Sequence, residues 1–199
     1  MPADVDEKWS DRRRAHEDEY FRRRDQELVE EARLRAEDEA AFQRLAEVAG
    51  VDDEDILRDL QTLGYTVETV TLLHVLPLID VAWADGTVSE PERAAIIATV
   101  RARGVEPESQ ADRQVAQWLR EPPSAVLCDG TLHLLGALLQ RRPPDERAAV
   151  TRDLLDSCTE VASASGGILG FRSISDKEQR AVDRIRYELE RKGAPSPRR

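Results

Sequence analysis

Residues Leu76 to Ile97 read LPLIDVAWADGTVSEPERAAII, and this stretch decides the fold. An apolar run carrying one acid, Asp80, meets Asp85-Gly86 and then restarts. Glycine tolerates the left-handed backbone that ends helices, so Gly86 predicts a stop. Ser89 followed three residues later by Glu92 is a capping box, in which each side chain satisfies an N–H that the first helical turn leaves without a partner. Pro91 falls in that first turn, where its missing N–H costs nothing. The stretch therefore predicts helix, tight acidic loop, helix.

Working outward, Asp52 or Asp53 is positioned to cap a short helix carrying Ile56, Leu57, Leu60 and Leu63, which Gly64 ends. Thr66 is expected to cap the next, with Val70, Leu72, Leu73, Leu76 and Ile79. Pro77 inside it predicts a kink or a break, because it removes a backbone bond and clashes with the preceding turn. Downstream, a helix from Glu90 to Arg103 presents Ala94, Ile97 and Val100. Another covers about 111–120, anchored by Val115, Trp118 and Leu119. After Pro122-Pro123 a helix runs from about Ser124 to Gln140, with Leu127, Leu132, Leu135, Leu138 and Leu139. After Pro143-Pro144 a long one spans Asp145 to Ala164 with Val150, Leu154, Leu155, Cys158, Val161 and Ala162. Gly193 is expected to end the last helix. No period-two alternation of useful length occurs, so strands are not expected and the fold class is all-α.

The central pattern occurs twice. Val161-Ala162-Ser163-Ala164-Ser165-Gly166 repeats Val81-Ala82-Trp83-Ala84-Asp85-Gly86, and Ser173-Ile174-Ser175-Asp176-Lys177-Glu178 repeats Thr87-Val88-Ser89-Glu90-Pro91-Glu92. The second copy has Ser165 in place of Asp85 and an insert, GILGFR, between glycine and cap. Two pseudo-repeated helix–loop–helix units are therefore expected to nest in a helical bundle with their turns at a common pole.

From Ser10 the chain runs without a breaker to Gly50, about 60 Å of helix at 1.5 Å per residue. Arg12-Arg13-Arg14, Glu17-Asp18-Glu19, Arg22-Arg23-Arg24 and Glu30-Glu31 alternate in sign, and apolar residues are sparse. Such a helix is either solvated and laced by i,i+4 pairs or waits for a partner, another protein or a second copy. The expected organisation is a charged helical arm over 1–50, a helical domain over 51–191 and a basic tail over 192–199.

With 199 residues and 35% charged side chains, the chain has a formal net charge of −11. That balance would repel nucleic acid, whose backbone needs Lys and Arg. The start, MPADVDEKW, lacks an apolar signal core. The most apolar run, 72–84, is interrupted by His74, Pro77 and Asp80 and is shorter than the roughly 20 residues of a spanning helix. Cys128 and Cys158 have no short-range ligand cluster around them and read as buried free thiols of a reducing compartment, the cytoplasm by default.

The loop invites comparison with a calcium-binding EF-hand. With Gly86 as its sixth position, Glu92 is twelfth, but Val81 and Trp83 would stand first and third and cannot ligate a cation. A looser carboxylate shell is the alternative: Asp80, Asp85 and Glu92, completed by Glu90 or Glu160, suiting calcium, magnesium or manganese as cofactor. The same residues have a structural reading, with Asp85 bonding loop N–H groups and Glu92 reaching back to Ser89. Gly166-Gly167-Ile168-Leu169-Gly170 follows a helix and lacks the G-K-[ST] ending of a phosphate loop. No G-x-S-x-G or H-E-x-x-H occurs, and the three histidines are scattered, so catalysis is not expected.

The run V-A-W-A-D-G-T-V-S-E-P-E-R, Val81 to Arg93, resembles the signature of TerB-like domains of tellurite-resistance proteins, roughly A-x-A-D-G-x-[VI]-x-x-x-E. The resemblance extends from about Thr66 to about Leu189. It implies an all-helical fold, an acidic metal-binding surface and a non-catalytic role in a stress-response assembly. Separately, S-D-R-R-R-A-H-E-D-E-Y-F resembles the helical segment of F-type ATPase inhibitor proteins at Arg12, Ala15, Glu17 and Tyr20. That second likeness implies a regulatory protein acting through its N-terminal helix.

Overall fold

The computed structural model describes the backbone of residues 3–164 and 174–191 and the side chains of 22–164 and 174–191. It is all-α: the described residues form eight α-helices and a 3-10 turn, and no strand. Ser165, Gly166, the insert after them, Gly193 and the basic tail, all singled out in the sequence, lie outside the described residues.

Contacts divide the chain into two units, 1–44 and 45–199. The first is helical throughout its described length and belongs to α1, Ala3–Ala49. Ser10, from which the unbroken run was read, lies inside this helix, which begins at Ala3. Its side chains from Arg24 onward pair along the helix, Arg33 with Glu37 at 2.9 Å and Arg24 with Glu27 at 3.3 Å, all well exposed. Local charge pairing of this kind supports a helix that buries almost nothing.

The second unit is built from shorter helices with explicit ends. Asp53 caps α2, Glu54–Thr62, accepting from the N–H groups of Asp55 and Ile56, and its carboxylate also takes a 2.7 Å bond from Arg141. That guanidinium, helped by the Ile56 N–H, holds the Asp53 carboxyl below the usual range. Thr66 does not cap a regular helix. Its carbonyl accepts from Thr69 and Val70, and the chain winds as a 3-10 turn, Val70–His74. A fresh start follows at α3, Leu76–Ala82, with Pro77 in its first turn. The proline thus produces the break rather than the kink, in the only position where its lost N–H is harmless.

Gly86 has φ +105, and three residues on, Ser89 opens α4, Glu90–Ala102, through a complete capping box. The inward face of α4 is not the expected one. Ile96 is fully buried while Ile97 is 40% exposed and Ala94 faces solvent. Serines cap α5, Gln110–Trp118, and α6, Ala125–Gln140. α7, Pro144–Ala164, starts on the second proline of its pair, and α8, Asp176–Glu190, opens through a second complete capping box. α8 packs on α6 and α7, α3 packs on α7 and α8, and α4 packs on α7. Leu60, Leu72, Leu78, Ile79, Leu135, Leu154 and Ile185 fill the space between them, each at most 1% exposed.

Candidate functional site

The two capping boxes define the site. Both serines sit in extended backbone, which frees the hydroxyl to turn back over the first helical turn. Ser89 Oγ accepts from the Glu92 N–H, and the Ser89 N–H donates to Glu92 Oε2 at 2.7 Å. Ser175 Oγ accepts from the Glu178 N–H, and the Ser175 N–H donates to Glu178 Oε2, also at 2.7 Å. Capping-box glutamates ordinarily lie at a helix surface. Here Glu92 is 2% exposed and Glu178 1%.

The reason is that they meet. The Glu178 carboxyl is within hydrogen-bonding range of Glu92, and the contact joins the starts of α4 and α8. Burial, with the neighbouring acid adding to it, pushes the Glu92 carboxyl above its ordinary value, against the bonds from Ser89 that lower it. Like charges this close in a dry setting repel, which favours the protonated form of Glu92.

Sequence reasoning placed Glu92 in the shell but not Glu178. The signal was present, because the repeat aligns Glu178 with Glu92.

The remaining proposed ligands go elsewhere. Asp80, on α3, takes an ion pair from Arg184 of α8, whose other nitrogen lies 3.6 Å from Asp129 of α6. Burial, with the Asp80 charge adding to it, pushes Cys128 and Cys158 up to about 12. Asp85 accepts from the N–H of Thr87 at 3.0 Å and from its hydroxyl at 3.3 Å, closing the loop on itself as an Asx turn. Glu90 is exposed and 3.5 Å from Arg93; Glu160 is exposed on α7. The structure therefore brings Asp80, Asp85, Glu90, Glu92 and Glu160 to separate tasks. Among the described residues, no three His, Cys, Asp or Glu side chains form a group that could hold a metal ion.

Two further residues of the Val81–Arg93 run anchor the loop. Trp83 donates its indole N–H to the Trp118 carbonyl at 2.8 Å, and Arg93 donates to the Leu119 carbonyl at 3.1 Å. Both satisfy carbonyls left open at the end of α5. The Trp83–Arg93 segment thus ties α3, α4 and α5 together through two side chains that the signature does not specify.

Among the described residues no helix is long and apolar enough to cross a membrane. Comparison of the chain with protein-family models, with curated proteins and with solved structures finds no match.

Proposed function

We propose that this chain is a non-catalytic, acidic helical module of TerB-like type, in which two similar capped helices share one buried carboxylate pair that takes up a proton or a divalent cation. The observation that carries the reading is the meeting of Glu92 and Glu178, each held by its own serine. A proton is the simpler occupant, because a hard cation asks for about six oxygens and the pair supplies few. The occupant couples two helix starts that lie 86 positions apart in the chain (178 less 92). A role in a stress-response assembly rests on the resemblance of Val81–Arg93 alone.

The non-catalytic part rests on the sequence, which carries no G-x-S-x-G or H-E-x-x-H motif.

Calorimetry with calcium, magnesium and manganese on wild type and Glu92→Gln separates the occupants. Saturable heat in the wild type that Glu92→Gln removes assigns a cation. No heat at millimolar ion, with a stability difference between the two proteins that changes with pH, assigns the proton. Neither heat nor pH-dependent difference sinks the reading.

A second reading has its own observation. In α1, Leu28, Val29 and Leu34 are 49–68% exposed on a helix otherwise covered in charge. They suit a helical partner or a second copy. Deletion of residues 1–44, which spares buried Leu45, followed by light scattering and co-purification, tests it; unchanged mass and unchanged partners end it.

A further inference from the structure

In the arm every residue from Arg22 to Ala40 is exposed, and the charges there are arranged about a point. Arg22 and Asp38, Arg23 and Glu37, Asp25 and Arg35, and Glu27 and Arg33 stand equally far from Glu30 on either side, and each of these pairs joins opposite signs. No two different residues of like charge mirror one another between 22 and 38. The helix is thus a rod whose positive and negative levels exchange places when it is turned end for end.

The same centre carries an apolar contact. Leu28 and Ala32 are mirror partners, and Asp25, Leu28, Ala32 and Arg35 follow at steps of three, four and three, the spacing that keeps residues on one helix face. Leu28 is 49% exposed, and Val29, at the edge of this face, 68%. Glu30, the one acid that would meet itself, lies on the opposite side of the helix. In a parallel pair Asp25 would meet Asp25 and Arg35 would meet Arg35, two repulsions on the contact face. Reversing one helix turns both into attractions and sets each Leu28 on the other's Ala32. Arg35 shares its charge with Glu31 at 3.8 Å, yet 83% of its side chain stays in solvent, so a guanidinium with five donors can serve an acid of a second chain as well.

We infer that two copies of this chain associate through residues 22–38 of their arms, lying antiparallel about a twofold axis at Glu30, with Leu28 on Ala32 and Asp25 paired with Arg35 across the axis. A self-complementary patch is what a twofold dimer requires, because each contact then occurs twice. Such pairing rests on the second reading under the proposed function, that the arm is where association occurs, and commits it to a second copy in one register. The patch is small and mostly charged, which suits a reversible dimer that salt weakens rather than a permanent one.

Light scattering on the full-length protein at about 200 µM and low salt should give close to twice 22.4 kDa; a monomer under those conditions overturns the inference. Arg35→Asp sets like charges against each other at two places and should weaken the dimer about tenfold. Adding Asp25→Arg should restore it, although the local pair with Glu31 stays lost. Failure of the double variant to restore a dimer, with helix content unchanged by circular dichroism, overturns the inference. Direction is read by cross-linking. Asp25→Cys and Arg35→Cys proteins should form a mixed disulfide on gentle oxidation when combined and far less when each is alone, the native Cys128 and Cys158 being buried. Self-linking of each protein alone marks a parallel pair and overturns the inference as well. Deletion of residues 1–44 separates the two levels: a dimer lost on deletion but indifferent to the charge swap keeps the arm and discards this register, whereas a dimer that survives deletion discards both.

Discussion

The arm and the compact unit reach helix by opposite routes. In residues 24–43 the backbone is held by neighbours along the same helix, Arg33 with Glu37, Arg35 with Glu31, Gln43 with Glu39, all in water. Each exposed pair contributes only about 0.3–0.5 kcal/mol, so the arm's order is the sum of many small local terms. In the compact unit no helix exceeds 21 residues; α2, α4, α5, α6 and α8 start on a side-chain cap, and the helices bury apolar residues along one face. The comparison teaches that charge content does not predict a residue's fate here. Glutamates are solvated in the arm, whereas Glu92 and Glu178 are among the most enclosed side chains of the second unit.

The contrast breaks most easily in the core. Leu60→Ala should cost about 3 kcal/mol in urea denaturation, whereas Leu34→Ala, in the arm, should cost under about 0.5 kcal/mol. Equal effects would mean that the arm is packed on something.

Next comes the acid pair. Glu92→Ala should destabilise by about 2 kcal/mol, through the lost cap bond and the void it leaves. Glu92→Gln keeps the shape and can still accept from Ser89 while donating to Glu178, so it should match or exceed the wild type at neutral pH. The sign follows from linkage. A carboxyl raised above its ordinary value of 4.5 contributes its stability fully below that value and loses it as pH rises through the raised one. Wild type should therefore lose ground to Glu92→Gln as pH increases above about 4.5, in paired denaturation curves across pH; a constant difference would refute the contact.

A smaller effect is expected at Trp83. Trp83→Phe removes the bond to the Trp118 carbonyl and should cost about 1 kcal/mol, with the change felt at the end of α5 in amide exchange. Smallest is the response to salt. At about 1 M, where the screening length is about 3 Å, the arm should lose a little ellipticity while the compact unit's denaturation midpoint holds.

Much of this architecture was legible because the signals were local. Ser89 with Glu92, Asp53, Gly64, Gly86 and the proline pairs each act within a turn or two, and each stands where its chemistry requires. What was not legible depended on partners distant in the chain. The inward face of α4 was placed on Ala94, Ile97 and Val100, and of these only Val100 is buried. Once Glu92 turns inward, Ile96 and Val100 follow at four-residue steps, and the stripe is rotated by one position. α8 has the same form: its buried stripe starts at Glu178 and continues through Val182, Ile185 and Leu189. A hydrophobic pattern cannot reveal a buried acid unless its partner is known, and the partner lies in the other capped helix. Asp80 shows the same dependence on distant partners: its ion pair is with Arg184 of α8, 104 positions away, which no local pattern announces. Thr66 was misread because a 3-10 turn offers the same threonine and apolar residues as a capped helix, and only Pro77 separates the two.

The two enclosed sulfurs provide a clock. Cys128 is 6% exposed and Cys158 fully buried, and both hold their protons up to about 12. A thiol reagent at neutral pH meets little nucleophile at either sulfur, and at fully buried Cys158 no exposed surface while the helices are together. Alkylation therefore reports opening events rather than surface chemistry, and its rate at low reagent gives the free energy at which α6 and α7 come apart.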